Sequence, residues 1–287
     1  MTEFDLTLRA WNEPLTYGLF FGGLILFGAL EAFFALREAG ALRRRRWPVN
    51  FGLTLLNILV LGALPVTALV AADWAEAGGH GWLNQREHSF AFLLLVGVLA
   101  RSLASWGIHW AMHNVPLLWR VHRVHHTDTH MDVSTTVRFH QIEFLIAAPV
   151  VVALAVGLGL PPEVVILYEL FDTAMAVFTH ANLKLPRGLD RALGGVLVSP
   201  NLHRIHHSTR VAETNSNYGA TLSIWDRLFG TFREKDVAAL RAQPLGLTET
   251  QDARATSFLY LVTLPFRPNR IRPLKEPAGD AKEARAE

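Results

Sequence analysis

Four long apolar stretches alternate with shorter polar ones along the chain, a pattern typical of helices in a bilayer. Three of them lie at 15–36, 49–72 and 89–108. Each is close to the roughly 20 apolar residues that cross a hydrocarbon core of about 30 Å. We therefore predict three membrane-spanning helices. Because the segment before the first stretch is acidic rather than basic, we expect that helix to be a retained anchor and not a cleaved signal peptide.

The fourth apolar stretch, 143–181, is interrupted by Pro161 and Pro162. Proline lacks the N–H that continues a helix, so this stretch predicts a helical hairpin. The hairpin either spans the bilayer fully or dips in from one face, and the sequence leaves both open. In each case its two ends share one side, which brings His180 back to the side of His109.

Charge asymmetry between the loops predicts the orientation. Arg37 and the arginine run at 43–46 lie between the first two apolar stretches, whereas the next loop, 73–88, is acidic. Positive residues favour the cytoplasmic side. We therefore expect the residues that follow His109 to emerge on the cytoplasmic face, and the arginine run to contact anionic lipid.

Composition narrows the chemistry. Hydrophobic residues make up 51% of the 287 residues and charged residues 18%, which favours a membrane protein. The chain has no cysteine, which excludes disulfides, thiolate metal sites, iron–sulfur clusters and a cysteine nucleophile within it. A formal charge of +2, concentrated in one run, does not indicate a nucleic-acid partner. Histidine is the residue left to bind a metal.

The predicted fold is an all-α integral membrane protein. It has about three spanning helices and a helical hairpin, with a histidine-rich helical cap on the cytoplasmic face. We divide the chain into N-terminal membrane anchor helices (1–84), a histidine-rich domain (85–235) and a C-terminal tail (236–287). The tail is rich in charged and small residues near its end, and we expect it to be irregular or disordered.

Histidines cluster in three short motifs, HWAMH, HRVHH and HRIHH. On a helix, residues i and i+4 share a face, and a triplet at i, i+3 and i+4 places three imidazoles along one arc. Three rings so arranged rarely serve one ion, so two of them are expected to converge on one metal while the third faces a second. With the histidine at the end of the hairpin, the predicted ligands of a two-metal centre are His109, His113, His122, His125, His126, His180, His203, His206 and His207.

Other residues receive secondary predictions. His140, in RFHQIE, is either a further ligand or a residue that hydrogen-bonds one, whereas His80, His88 and His130 are expected outside the site. Ring-orienting carboxylates are usual around metal-bound histidines, and five acids near the motifs are candidates: Asp128, Asp132, Glu143, Asp172 and Asp226.

Arg101 lies inside the third apolar stretch, in line with Ser105 and His109 at successive i+4 steps. An intramembrane arginine usually faces a polar interior. We expect it either to pair with a carboxylate beneath the metal site or to extend toward the cytoplasmic interface.

The three histidine boxes behind paired apolar stretches resemble the fatty acid hydroxylase superfamily, also called the sterol desaturase family. The resemblance covers about residues 85–235 and rests on LLWRVHRVHHTD (117–128), TTVRFHQIE (135–143), SPNLHRIHHS (199–208) and NYGATLSIWDRLFGTF (217–232). One difference is Gln141, where proline would be expected after the histidine of RFH. This difference leaves the role of His140 open.

The resemblance implies a non-haem di-iron enzyme that uses O₂ and two electrons to hydroxylate, or sometimes desaturate, a C–H bond of a lipid. The chain lacks cysteine and any nucleotide-binding fingerprint, so a separate donor of the cytochrome b5 or ferredoxin type is implied. The substrate stays open among a fatty acyl chain, a sterol-like ring, an alkylglycerol and an aminolipid headgroup.

Two other functions are compatible with the histidines. Imidazole also suits zinc, so the same ligands can serve a zinc-dependent membrane hydrolase that needs neither O₂ nor a reductant. A metal transporter or store is a further alternative, but it requires polar ligands along the spans. The predicted ligands instead gather at one face, which disfavours transport.

Overall fold

We describe residues 3–38 and 43–268 of a computed structural model of the protein. This part of the chain is helical, and its β-structure consists of three isolated bridges without a strand. Its α-helices are α1 (Glu3–Phe34), α2 (Arg43–Gly62), α3 (Ala68–Ala77), α4 (Phe90–Asn114), α5 (Pro116–His122), α6 (Gln141–Leu158), α7 (Pro162–His180), α8 (Arg187–Gly194), α9 (Pro200–His206), α10 (Val211–Thr214), α11 (Ile224–Leu228), α12 (Val237–Ala242) and α13 (Phe258–Thr263).

Three of these helices, α1, α4 and α6, are long and apolar enough to cross a membrane. Their apolar side chains face outward rather than into the protein, since only 6 to 17% of the most apolar window of each helix is buried. An outward apolar surface on helices of this length is typical of helices that face lipid. The predicted all-α integral membrane fold is therefore confirmed.

The second apolar stretch, 49–72, does not form the single span that we predicted. α2 ends at Gly62 and α3 begins at Ala68, with Pro65 between them. Proline cannot donate the next helical hydrogen bond, and Thr67 caps the new helix instead, its side chain accepting from a backbone N–H. Two consecutive helices, α2 and α3, therefore replace the predicted single span.

The bundle has two opposite ends, which we call the histidine end and the far end. At the histidine end, Phe34 closes α1 and its carbonyl accepts from Lys184 N (2.8 Å), just after α7. At the far end, Arg9 of α1 pairs with Asp73 of α3 (2.8 Å). A helix rises about 1.5 Å per residue, so these two contacts lie at different heights in the bundle.

The predicted hairpin is confirmed as α6 and α7. Gly159 ends α6 in the left-handed region (φ 69°), where glycine avoids the penalty of a side chain, and Pro162 opens α7. The turn reaches the far end, because Trp82 N in the loop after α3 donates to Gly157 O (3.3 Å). At Gly97, α4 approaches α7 so closely that an added methyl group would overlap Val164.

The predicted C-terminal tail is ordered over much of its length, which contradicts our expectation of an irregular segment. Residues 236–268 form α12, α13 and short 3₁₀ turns. Leu261 and Leu264 are buried against Val49 and Leu53 of α2. The apolar run FLYLVTLPF supplies the burial that a polar tail lacks. The prediction for 269–287 lies outside the described residues.

Candidate metal centre

The structure collects nine histidines into two groups at the histidine end. Within each group, one nitrogen per ring lies within 4.8 Å of the corresponding nitrogens of the others. We call them the five-histidine group and the four-histidine group. The first consists of His109, His113, His122, His126 and His206, and the second of His125, His180, His203 and His207. All nine residues that the spacing singled out are in one group or the other.

The two triplets divide between the groups in opposite ways. His122 and His126, at i and i+4, join the five-histidine group, while His125 at i+3 turns to the other. In the second triplet, His203 and His207 join the four-histidine group and the i+3 residue crosses over. Each triplet therefore ties the two groups together, as the crowding of three rings predicted.

Four helices that end at the site, two of them short and two of them long, position these rings. α5 and α9 each start with a proline and end within a histidine triplet, at His122 and His206. α4 and α7 also end there, shortly after His113 and at His180. The C-terminal end of a helix carries partial negative charge, so four helix ends directed at one place favour cations there.

Three rings of the five-histidine group are oriented by one connecting segment, 215–218. Their Nδ1 atoms lie against an oxygen of this segment, which leaves the Nε2 atoms directed into the group. The pairs are His109 with Tyr218 O (2.6 Å), His113 with Asn215 Oδ1 (3.3 Å) and His206 with Ser216 O (2.7 Å). Two of these acceptors are backbone carbonyls, which no side-chain motif in the sequence identifies.

Glu143 orients a fourth ring. Its Oε1 lies 2.9 Å from Nδ1 of His122. Glu143 is thus a predicted acid that contacts a histidine ring directly. An anionic acceptor raises the basicity of the opposite nitrogen and fixes the tautomer.

We expect Glu143→Gln to lower metal affinity or activity by about 10- to 100-fold, because the amide keeps an acceptor oxygen but loses the charge. Metal titration of the purified variant measures the change. The exposed Glu87, mutated to glutamine, is the control. Unchanged affinity and activity in Glu143→Gln would show that the carboxylate charge does not tune His122.

The nitrogen spacings suit bound metal ions. In the four-histidine group, Nε2 of His180 lies 3.2 Å from that of His125 and 3.0 Å from that of His203. Adjacent ligands around an ion with metal–nitrogen bonds of about 2.1 Å stand roughly this far apart. In the other group, Nε2 atoms of His113 and His206 are buried without a hydrogen-bond partner. Such atoms are costly unless a ligand takes them, so the residues present fit metal ions.

The two groups are direct neighbours. The rings of His126 and His207, one from each group, stack with centroids 4.6 Å apart. His203 and His206 stack in the same way at 5.3 Å. Ions held by the two groups would therefore form a single centre.

Burial favours the neutral form of five of these rings. It lowers the pKa of His125, His126, His203 and His207 well below the ordinary 6.5, and neighbouring imidazoles add to the effect. Burial also lowers the pKa of His206, to about 3. A neutral imidazole has the lone pair that a metal needs.

Acid is expected to destabilise the metal-free protein. In the unfolded chain His206 titrates near 6.5, whereas burial in the fold lowers its pKa to about 3. Between these values the unfolded chain binds a proton that the folded chain does not, so the free energy of unfolding should fall as pH drops below about 6.5 and level off above it. Thermal unfolding over this range measures the slope, which should be smaller in His206→Phe. Rising stability on acidification would contradict this assignment.

His140 and Asp226 act on the site indirectly. His140 lies outside both groups; its Nδ1 caps α6 by accepting from Ile142 N (3.2 Å), and its Nε2 lies 3.1 Å from Val262 O. Asp226 accepts from the backbone N–H groups of Tyr218 and Gly219 (2.8 Å each). It therefore holds the segment whose carbonyl orients His109, and the ring that donates to its side chain is the indole of Trp106 (3.0 Å) rather than a histidine.

The remaining predicted acids, Asp128, Asp132 and Asp172, do not orient histidine rings of the two groups. Asp128 and Asp132 bind Arg46. Asp172 interacts electrostatically with Arg101 of α4. The Arg101 side chain is buried and its guanidinium lies 5.0 Å from the centroid of the Tyr168 ring, so it faces the bundle interior and does not extend to the interface. Besides His140, the three histidines that we expected outside the site lie outside both groups: His80, His88 and His130.

A buried arginine network behind the first triplet was not predicted. Arg46 is 1% exposed and donates to both oxygens of Asp128 (2.5 and 2.7 Å) and to Asp132 (2.9 Å). Although burial alone would raise the pKa of Asp128, the Arg46 guanidinium holds it below its usual range. Arg138 donates to Thr127 (2.6 Å). The network fixes the segment that carries His125 and His126 to α2.

This network corrects the prediction for the arginine run. Arg46 is an internal structural residue and not a lipid contact. Arg43 pairs with Glu31 of α1 (2.5 Å), while Arg44 and Arg45 are exposed. The run therefore divides between the protein interior and its surface.

The part of the chain that carries both histidine groups is similar to known proteins. Residues 94–231, just under half of the chain, match the family model described as fatty acid hydroxylase. All nine histidines of the two groups fall within the matched residues. Residues 94–231 are therefore similar to the fatty acid hydroxylase family, the family that the histidine boxes resemble.

Several curated proteins are similar to the chain. An ornithine lipid hydroxylase, OlsE of Rhizobium tropici, is 33% identical over 165 residues, 58% of this chain and 48% of the relative. An alkylglycerol monooxygenase of Xenopus tropicalis is 28% identical over 191 residues, 64% of this chain and 41% of the relative. The matched region spans less than half the length of either relative. No solved structure matches the chain.

Proposed function

We propose that the protein is a membrane-bound non-haem di-iron oxygenase that hydroxylates or desaturates a C–H bond of a lipid, with O₂ and externally supplied electrons. The observation that carries the proposal is the pair of adjacent histidine groups, five rings and four, at one end of an apolar helical bundle. The family of residues 94–231 and the lipid hydroxylases among the relatives support it.

In this proposal the five-histidine group holds one iron and the four-histidine group the other. Two bound irons would supply the redox chemistry that activates O₂ toward a C–H bond. The chain's own contribution is positional: segment 215–218 and Glu143 fix the rings of the first group, and burial keeps the imidazoles neutral and dry. A closed structural zinc site needs only four ligands, so a five-histidine group beside a second group favours iron over zinc.

The substrate is proposed to be a membrane lipid. Its C–H bond would approach from the bilayer, because the histidine groups lie at the ends of α4 and α7, which belong to the apolar bundle. The relatives named for ornithine lipids and alkylglycerols make a lipid with a polar headgroup the first class to test.

The histidine end is proposed to face the cytoplasm. The exposed Arg44 and Arg45 lie at this end, as the positive-inside rule requires. The electrons would come from a separate cytochrome b5-like or ferredoxin-like donor, because the chain has no cysteine for a cluster. The division of the chain into three parts, with boundaries after residues 84 and 235, is also proposed.

Mössbauer spectroscopy tests the metal. Protein purified in detergent from cells grown with ⁵⁷Fe is expected to contain two irons per chain with the signature of a coupled pair. Incubation with O₂, a reductant and total lipid extract should then yield hydroxylated or desaturated lipid. Zinc alone after anaerobic purification with iron supplied, together with lipid hydrolysis that needs no O₂, would replace the proposal by the zinc hydrolase.

A further inference from the structure

Residues 258–267, in and after α13, present large apolar side chains outward. Leu259 is 71% exposed and Phe266 is 69% exposed. α5 packs against the turn at 264–266, and its Leu117 is 68% exposed. Isolated apolar residues on a surface are ordinary, but a group of them on neighbouring elements marks an interaction surface.

This surface is continuous with the outer face of α2. Phe258 lies against Gly52 so closely that an added methyl carbon would stand 3.1 Å from its ring. Leu55, one turn further along the same face of α2, is 60% exposed. The apolar exterior of the bundle therefore extends onto α13 without a polar gap at this contact.

Cationic side chains border the same segment. Arg267 lies with its guanidinium 4.8 Å from the centroid of the Tyr260 ring, and Arg120 donates to Arg267 O (3.4 Å). In the described part of the chain neither arginine has a carboxylate partner within ion-pair distance. Tyrosine and arginine beside exposed apolar residues are typical of the zone where headgroups meet acyl chains.

The segment is fixed to the elements that carry the metal centre. Val262 O lies against the ring of His140, at the start of α6. Arg123, which directly follows His122, donates to Leu264 O (2.7 Å) and Arg267 O (2.8 Å). The apolar side chains are thus held at a defined height beside α5, and the surface belongs to the folded protein.

We propose that residues 258–267 form an interfacial membrane-binding segment. Phe258, Leu259 and Phe266 enter the boundary of the acyl chains, while Arg120 and Arg267 contact the phosphates of anionic lipids. A bilayer is the occupant that fits, because the patch continues the lipid-facing surface of the bundle and its border is cationic. A bilayer in contact with this segment also reaches α5, which ends at His122.

Single-cysteine labelling tests this placement, because the chain has no native cysteine. Nitroxide labels are introduced by Leu259→Cys and Phe266→Cys in the full chain in lipid nanodiscs. Collision rates with O₂, which concentrates in acyl chains, and with a water-soluble nickel chelate are measured by electron paramagnetic resonance. Ile25→Cys on α1 is the lipid-exposed control, and Ala238→Cys on α12 is the water-exposed control.

At positions 259 and 266 we expect O₂ collisions to exceed nickel collisions several-fold, as at Ile25→Cys. Nickel accessibility equal to that at Ala238→Cys would overturn the proposal. Low accessibility to both reagents would also overturn it, because a second protein copy would then cover the patch.

Lipid charge tests the role of the arginines. Nanodiscs that contain phosphatidylglycerol should place the label at 259 deeper than nanodiscs of phosphatidylcholine alone. Arg267→Gln should reduce this difference. If the depth does not depend on lipid charge, the assignment of the two arginines to lipid phosphates is wrong.

Discussion

The substitution His125→Ala is expected to abolish activity and to remove the ion of the four-histidine group. The substitution leaves three imidazoles there, His180, His203 and His207, with no neighbouring carboxylate among the ligand candidates of that group. His125 is buried, its ring centroid lies 4.6 Å from that of His207 and 5.4 Å from that of His126 in the other group, and no further histidine or acid among the described residues joins its group to replace it. Metal analysis of the purified variant should therefore show the loss of one ion per chain or more.

Removal of one histidine from the five-histidine group should lower the metal content less than removal of His125 does. His113→Ala leaves four imidazoles, a number that still satisfies an ion with tetrahedral preference. We expect this variant to retain more metal than His125→Ala while losing most of its activity, because the geometry at the centre changes. Equal metal loss in the two variants would contradict the assignment of the rings to groups of different size.

Histidines outside the groups provide the control for these variants. His80 stacks on Trp74 (centroids 4.4 Å apart) in the loop at the far end. His80→Ala should therefore keep both metal and activity. Membrane insertion and elution as a single species in detergent should be the same for all three variants, so that metal loss is separated from misfolding.

Replacement of Arg46 by methionine is expected to be the most destabilising single change outside the histidines. It leaves Asp128 as a buried carboxylate without its ion-pair partner, and leaves Asp132 with only the more distant Arg43 (3.7 Å). Removal of one partner from a buried ion pair costs about 3–5 kcal/mol in free energy of unfolding. Thermal or denaturant unfolding in detergent should detect such a loss, and His125 and His126 should lose their fixed position with it.

The same arginine run supplies the matched control. Arg44 is exposed, two positions before Arg46, and Arg44→Met should change the free energy of unfolding by no more than about 0.5 kcal/mol. Adding Asp128→Asn to Arg46→Met should recover part of the stability, because one uncompensated charge is removed. Similar stability of the two single variants would refute the internal role of Arg46.

The clustering of the nine histidines could be predicted from the sequence because their spacing has a geometric meaning. A triplet at i, i+3 and i+4 rarely directs three rings at one ion, and the structure divides both triplets between the two groups. The acceptors that orient the rings could not be predicted in the same way. Tyr218 O and Ser216 O are backbone atoms, and any residue type can supply them.

Two incorrect predictions have a common physical origin. The prediction of one span at 49–72 rests on apolar content alone, although Pro65 interrupts the helix. The prediction of an irregular tail at 236–287 rests on the polarity of the chain end, although the apolar run FLYLVTLPF (258–266) lies before it. In both cases the average over a long window hid a local feature that determines whether a helix forms.

The sequence by itself determined the class of environment, the helical hairpin and the identity of the nine clustered histidines, because hydrophobic length and helical period are local properties. Only the tertiary structure decided which histidine joins which group, that Arg46 is internal, and that His140 contacts α13 and lies outside both groups. These outcomes depend on contacts between residues far apart in the chain, such as Arg46 with Asp128 and His140 with Val262. Their free energies arise from burial that exists only once the helices have packed.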